Sequence, residues 1–104
     1  METDAVKRAV KDIVLRHVPD AEVILYGSRA RGDAQPDSDW DILVLLPKKT
    51  SNTLERTTRR DIYEWEWAND EVITVIFREK TFWNSPVMKA SPFHQNVTRE
   101  GVRL

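Results

Sequence analysis

The chain has 104 residues, of which 17 are acidic and 16 are basic, so its formal net charge is −1. This length is enough for one domain with a single core and too short for two, so residues 1–104 are predicted to form one domain. The even charge balance argues against direct binding of nucleic acid, which needs an excess of Lys and Arg on one face. The lack of cysteine excludes disulfides, thiolate zinc sites and cysteine nucleophiles.

The sequence is also unlike that of an exported or membrane-inserted protein. Its first residues, Met1-Glu2-Thr3-Asp4, are acidic and lead into a charged amphipathic stretch, which differs from a signal peptide. No run approaches the ~20 apolar residues that cross a bilayer. A cytoplasmic protein without a membrane partner is therefore predicted.

The first half of the chain predicts a helix and two strands with a loop between them. A helix is predicted over residues 4–17, because apolar side chains recur at helical spacing at Ala5, Ala9, Val10, Ile13 and Val14. Strands are predicted over residues 22–26 and 40–46, which are short apolar runs bounded by turn residues. The loop over residues 28–38 is charged and turn-prone, with a short helix at its start.

The second half predicts two more helices and one more strand. Glu55 lies three residues after Asn52 and completes the pattern of a capping box, which predicts a helix from Asn52 towards Ala68. The branched run over residues 71–77 predicts a third strand. A last helix is predicted over residues 92–100, with serine and proline at its start and glycine after its end. These elements predict a two-layer α+β (α/β) domain, in which helices cover a small sheet of three strands.

The most informative segment begins where the first predicted strand ends, at Gly27 and Ser28. Gly27 has no Cβ, so the backbone can turn sharply there and a ligand can approach the peptide groups. Ser28 can cap a helix whose free N–H groups point at the ligand, an arrangement that favours phosphate. Arg29 and Arg31 add positive charge beside this point, although a solvated role suits them equally well. The segment therefore predicts a phosphate site with these four residues as candidates.

Two carboxylates, Asp39 and Asp41, lie at the start of the next predicted strand. They are one residue apart, so their side chains leave the same face with Cα atoms roughly 7 Å apart. A carboxylate at Asp41, within an apolar strand, has a large desolvation cost unless a cation or donors meet it. Hard oxygen ligands select Mg²⁺ or Mn²⁺, and such a pair can anchor the ions of a two-metal phosphoryl-transfer site. We therefore predict that Asp39 and Asp41 bind Mg²⁺.

Each half of this pattern has an ordinary explanation when it is taken separately. Gly27-Ser28 fits a simple turn, and each aspartate fits a carboxylate at the edge of a loop. In combination, Gly-Ser, ten intervening residues and Asp-x-Asp in an apolar strand resemble the active-site motif of the polymerase-β-like nucleotidyltransferase superfamily. The run from Gly27 to Asp33 is most similar to the minimal nucleotidyltransferases. The resemblance is strong over residues 23–46 and loose elsewhere.

This resemblance implies a fold and a set of roles. The implied fold is a small mixed sheet with helices packed on it. Gly27 and Ser28 would hold the triphosphate, and Asp39 and Asp41 would bind one or two Mg²⁺ ions, for which Mn²⁺ can substitute. Ser38 is a further, weaker candidate for nucleotide contact. The two aspartates are the predicted catalytic residues.

The chain departs from the family pattern at one position. In the family, a third carboxylate on a later strand completes the metal site and can act as base towards the acceptor hydroxyl. Here the expected position falls on Thr74. Asp70 or Glu71 could substitute from the start of that strand, but a shift of one or two residues changes the face or the depth. Nucleotide binding therefore follows from the motif, whereas turnover depends on a replacement for this group.

The resemblance also implies a partner. Minimal nucleotidyltransferases are often paired with a helical HEPN-type toxin, which they neutralise as antitoxins and can nucleotidylate. We predict that the chain binds a magnesium–nucleoside triphosphate, with ATP favoured, and transfers AMP to an acceptor hydroxyl that can lie on such a partner. The alternative is an antitoxin that binds its partner and has little or no turnover.

Overall fold

The computed structural model describes residues 3–104, which form six helices and four strands. The helices are α1 (Thr3–His17), α2 (Ser28–Arg31), α3 (Asn52–Asn69), α4 (Lys80–Trp83), α5 (Pro86–Lys89) and α6 (Pro92–Glu100). The strands are β1 (Glu22–Tyr26), β2 (Trp40–Leu46), β3 (Ile73–Glu79) and β4 (Val102–Arg103). Within this described part of the chain, no helix is both long enough and apolar enough to cross a membrane.

The four strands form one mixed sheet in the order β3-β2-β1-β4. β1 pairs antiparallel with β2 and with β4, whereas β2 pairs parallel with β3. The prediction of an α+β domain with a small mixed sheet is confirmed. The fourth strand was not predicted, because two residues are too few to show the alternation that identifies a strand in sequence. It is set by pairing, since Val102 lies opposite Leu25.

The long helices cover one face of the sheet, and the short helices α4 to α6 pack against part of the other face. α1 and α3 pack on one face, on a core that includes Val6, Val10, Val14, Leu25, Trp40, Ile42, Val44, Ile62, Val75 and Phe77. The second core, on the side of α4 to α6, consists of Leu43, Leu45, Trp83 and Val97. Because successive strand side chains point to opposite faces, Asp41 lies on the same face as Leu43 and opposite to the buried Trp40.

The cap of α3 and the start of the third strand differ from the predictions by one or two residues. Ser51 caps α3, since its Oγ accepts a hydrogen bond of 3.1 Å from the amide of Leu54, and Asn52 is the first helical residue. The third strand begins at Ile73, because Asp70 ends α3 in the left-handed conformation and the chain must still turn. The end of β1 at Tyr26, where the candidate site begins, lies where the sequence predicts it.

Candidate active site

The centre of the candidate site is the sharp turn that follows β1. Gly27 has φ 77° and ψ −160°, a combination that is essentially restricted to glycine. Tyr26 pairs with Asp41 across the antiparallel ladder, which places the Asp41 carboxylate directly over the turn. A Cβ on Gly27 would overlap Oδ2 of Asp41 and would lie 3.1 Å from its Cγ. The structure therefore brings Gly27 and Asp41 into contact, and the lack of a side chain at Gly27 makes that contact possible.

Ser28 is the first residue of α2, and Gly27 is its N-cap, so the predicted capping role of Ser28 is corrected. No side chain caps α2. The amides of Ser28 and Arg29 lie in its first turn, where N–H groups have no partner within a helix. Because α2 has only four residues, its dipole is small, and a phosphate here would be held by the N–H groups themselves.

Arg29 and Ser38 hold the loop that leads to the aspartates. The Arg29 guanidinium donates to the carbonyls of Ser38 at 2.9 Å and Pro36 at 3.1 Å, and it lies over the Trp40 ring at 4.4 Å. The Ser38 hydroxyl accepts from the amide of Gln35 at 2.8 Å. Both residues thus have a structural role, and the direct nucleotide contacts predicted for them stay predictions.

Arg31 points away from Arg29, towards the last residue of α6. Its NH1 group lies 3.2 Å from Oε1 and 3.3 Å from Oε2 of Glu100, and its Nε lies 3.2 Å from Asp33. Glu100 Oε1 also accepts the Gly27 amide at 3.2 Å. Glu100 is therefore a site residue that sequence reasoning missed. It is 73 residues away from Gly27, and no local motif marks it.

The two aspartates differ in their surroundings. Asp39 is exposed at the end of the loop, whereas Asp41 is partly buried in β2. Burial raises the pKa of the Asp41 carboxyl, and the neighbouring charges of Asp39 and Glu100 raise it further, while Arg31 lowers it. The ionised form of Asp41 is thus disfavoured by its own site, which is the situation that a bound cation would relieve.

The position predicted for a third carboxylate lies beside Asp41. Thr74 of β3 pairs with Asp41 in the parallel ladder, so the two residues share a face, and Thr74 is exposed. Glu71 accepts the indole N–H of Trp40 at 2.9 Å, on the opposite face, and Asp70 is the exposed C-cap of α3. The structure therefore does not bring Asp70 or Glu71 to the aspartates.

The donor set fits Mg²⁺ with the help of a substrate. Among residues 3–104, no group of three or more His, Cys, Asp or Glu side chains is arranged to hold a metal. Mg²⁺ is usually bound by one or two carboxylates together with water and substrate phosphates. Asp39 and Asp41 match that requirement, since both are hard oxygen donors and Asp41 lies against the turn at Gly27.

Replacement of Asp41 by asparagine is expected to raise the thermal stability of the ligand-free protein at pH 7. A carboxyl whose pKa is raised by folding makes the folded state less stable at any pH where it is ionised, and this cost disappears when it is protonated in both states. The gain should therefore shrink as the pH falls through the raised pKa and be absent below the ordinary aspartate range. Thermal melts from pH 3 to 8 would show this, with Asp37→Asn, an exposed loop carboxylate, as control. A gain that persists at the lowest pH would contradict it.

Solved structures share this fold. A crystal structure of a toxin–antitoxin with AMP-PNP aligns with a TM-score of 0.63 and 19% identity, over 93% of this chain and 70% of that chain. A chain from the structure of a tri-AMPylated Shewanella oneidensis HEPN toxin in complex with MNT antitoxin aligns with a TM-score of 0.61 and 16% identity, over 98% of this chain and 71% of that chain. At these identities the similarity establishes the common fold.

Sequence comparison establishes the family. No curated protein sequence matches the chain at a significant level. A family model described as "Nucleotidyltransferase domain" matches residues 7–101, which include the turn at Gly27, both aspartates and Glu100. Since this match extends over nearly the whole chain, the protein belongs to the nucleotidyltransferase domain family.

Proposed function

We propose that the protein binds a metal–nucleoside triphosphate, with ATP as the favoured nucleotide, and transfers AMP to an acceptor hydroxyl with release of pyrophosphate. The single observation that carries the proposal is the contact between Gly27 and Asp41. It puts the turn whose amides suit a phosphate and the carboxylate that suits a cation within one small site. Membership of the nucleotidyltransferase domain family supports the same reaction class.

The proposed metal is Mg²⁺, held by Asp39 and Asp41 as one or two ions. Mn²⁺ can substitute for it. When bound, it would neutralise charge on the phosphates and stabilise the attacking and leaving oxygens. The partial burial of Asp41 and the like charge of Asp39 support this assignment, since both make an unpartnered carboxylate costly.

The chain's own residues would act mainly by positioning. The amides of Ser28 and Arg29 would orient the phosphates, and Arg31 would add positive charge beside them. Thr74, which shares a face with Asp41, carries a hydroxyl where a carboxylate would serve as general base. Removal of the acceptor proton would therefore depend on one of the two aspartates or on a group supplied with the acceptor.

We also propose a helical HEPN-type partner, which provides the acceptor. The neighbouring structures are of toxin–antitoxin proteins, one with AMP-PNP and one with a tri-AMPylated HEPN toxin. The surface of this chain is compatible with a protein partner, since Tyr63, Trp67 and Val72 are 57%, 74% and 56% exposed. Exposed apolar patches, and tyrosine and tryptophan in particular, are enriched where proteins bind each other.

A second candidate function is an antitoxin that neutralises its partner by contact alone. The observation that favours it is Thr74, because a threonine beside Asp41 cannot replace the base of an active transferase. The two candidates make different predictions for label transfer.

The test is to incubate the protein with a HEPN-type toxin as the candidate partner, Mg²⁺, and ATP labelled at the α-phosphate. We expect label on the partner and a mass increase of one AMP, because attack at the α-phosphorus transfers the nucleotidyl group. ATP labelled at the γ-phosphate is the control and should leave the partner unlabelled. Transfer from the γ-position would assign the protein to another reaction class, and no transfer with either label would favour contact alone.

A further inference from the structure

Glu100 makes two contacts that have the chemistry of phosphate binding. Its Oε1 accepts the backbone N–H of Gly27 at 3.2 Å, and both of its oxygens lie within 3.3 Å of NH1 of Arg31. A backbone amide at a glycine turn and a guanidinium are the donors that proteins commonly use for phosphate oxygens. The turn is thus bound to an anion that belongs to the chain itself.

The position of Glu100 is fixed by the packing of α6. Val97, one turn earlier, is buried against the sheet, and the ring of Phe93 packs edge-on against Tyr26 with centroids 5.4 Å apart. Gly101 follows at once, where a Cβ would lie 2.5 Å from the Val97 carbonyl and 2.9 Å from Cγ2 of Ile24. After Gly101 the chain enters β4, which pairs with β1. The end of α6 is therefore held against β1 by the residues before it and by the strand after it.

The position of Glu100 at the turn is electrostatically unfavourable for the neighbouring Asp41. The Glu100 charge raises the pKa of Asp41, so the two carboxylates repel each other. The Glu100 side chain is only 15% exposed, so solvent screens this repulsion incompletely. Arg31 offsets part of it, because its positive charge pairs with Glu100 and lowers the pKa of Asp41.

We propose that Glu100 occupies the phosphate turn in the nucleotide-free protein and that the triphosphate must displace it. This inference rests on the proposed function, since it assigns the regulation of the same site. Nucleotide entry would then be coupled to a movement of the Glu100 side chain from Gly27 and Arg31. The position of the Glu100 side chain would therefore report whether the site is loaded.

The experiment compares ATP binding by the full chain and by Glu100→Ala and Glu100→Gln, each with and without Mg²⁺. We expect Glu100→Ala to bind ATP about tenfold more tightly, which is the scale of one lost charge-assisted hydrogen bond in the competing state. Glu100→Gln should gain less, because its amide oxygen can still accept the Gly27 N–H. Glu64→Ala, which removes an exposed charge on α3, is the matched control and should change the affinity less than about twofold.

A second readout follows the Gly27 amide by nuclear magnetic resonance. Without nucleotide, the chemical shift of this amide should differ between the wild type and Glu100→Ala. At saturating ATP the two chemical shifts should become similar, because the Gly27 amide then binds phosphate in both proteins. This measurement also shows that each variant is folded.

The outcomes separate this inference from the proposed function. Weaker ATP binding by Glu100→Ala would make Glu100 part of the binding site, and an unchanged affinity would make it a structural contact; either result overturns the displacement proposal and leaves the proposed function standing. If the wild type and both variants fail to bind ATP with and without Mg²⁺, both proposals are wrong. If only the Glu100 variants bind, both are supported.

Discussion

Replacement of Gly27 by alanine is expected to lower the stability of the fold and to abolish nucleotide binding. The backbone of Gly27 lies in a region where other residues cost of order 1–3 kcal/mol, and the added Cβ would overlap the Asp41 carboxylate. A loss of about 2–3 kcal/mol lowers the melting temperature of a domain of this size by roughly 10–20 °C. Binding should fail as well, because Asp41 must move away from the turn that holds the phosphates.

Gly32→Ala is the matched control for this prediction. Gly32 also has a positive φ, of 86°, but a Cβ there would meet nothing within 4 Å. Its substitution should lower the free energy of unfolding by about 1–2 kcal/mol, the cost of the left-handed backbone for alanine. It should leave nucleotide binding unchanged. Thermal melts and ATP titrations of both variants check this. If Gly27→Ala binds ATP as tightly as Gly32→Ala does, the turn is not the phosphate site.

The double variant Asp39→Asn/Asp41→Asn is expected to lose AMP transfer by roughly a thousandfold. The reason is that asparagine cannot replace the charge with which the two carboxylates hold Mg²⁺, and metal stabilisation of several kcal/mol corresponds to about that factor in rate. The fold should be retained, since the change removes a partly buried charge and adds no volume. The rate of transfer of α-labelled AMP, measured with the partner protein at saturating concentration, checks this expected loss.

Neutralisation of the partner by the same double variant separates the two candidate functions. If neutralisation requires nucleotidylation, the variant should fail to neutralise although it still binds the partner. Neutralisation that survives would mean that contact is sufficient, and the enzymatic account of the biological role would be wrong. A single Asp37→Asn exchange in the same loop controls for a general change of charge.

The sequence predicted most of the structure around the site because its signals there are local. β1 and β2 are apolar runs with turn residues at their ends, and both have the predicted bounds. The placement of Gly27 against Asp41 follows from the antiparallel pairing of these two strands. The roles of Ser28, Asp39 and Asp41 in binding nucleotide and metal stay predictions, because the fold alone places these residues without testing their ligands.

The contacts that the sequence could not predict are those between distant parts of the chain. Glu100 reaches Gly27 because α6, whose bounds are as predicted, packs against the second face of the sheet, and the sequence does not indicate which element its end will meet. The opposite directions of Arg29 and Arg31 depend on which neighbours each meets, Trp40 for one and Glu100 for the other. Contacts of this kind depend on tertiary packing, so residue type and spacing do not predict them.

The pairing of Thr74 with Asp41 gives a reason why transfer by this protein could be slow. In the parallel register, the threonine stands where a carboxylate could join the two aspartates. Its hydroxyl can donate to or accept from a phosphate, but it is a poor base near neutral pH. A Thr74→Asp variant would add the carboxylate on the correct face and is the direct way to ask whether this position limits the rate of transfer.

Gly27, Asp39 and Asp41 are proposed to form one metal–nucleotide site. Calorimetric titration of the purified protein with ATP, with and without Mg²⁺, tests it most directly when repeated on Asp39→Asn/Asp41→Asn. We expect binding that depends on Mg²⁺ in the wild type and is lost in the folded double variant. Equal binding by the two proteins, or no binding of any nucleotide by a folded wild type and by its complex with the partner, would contradict it.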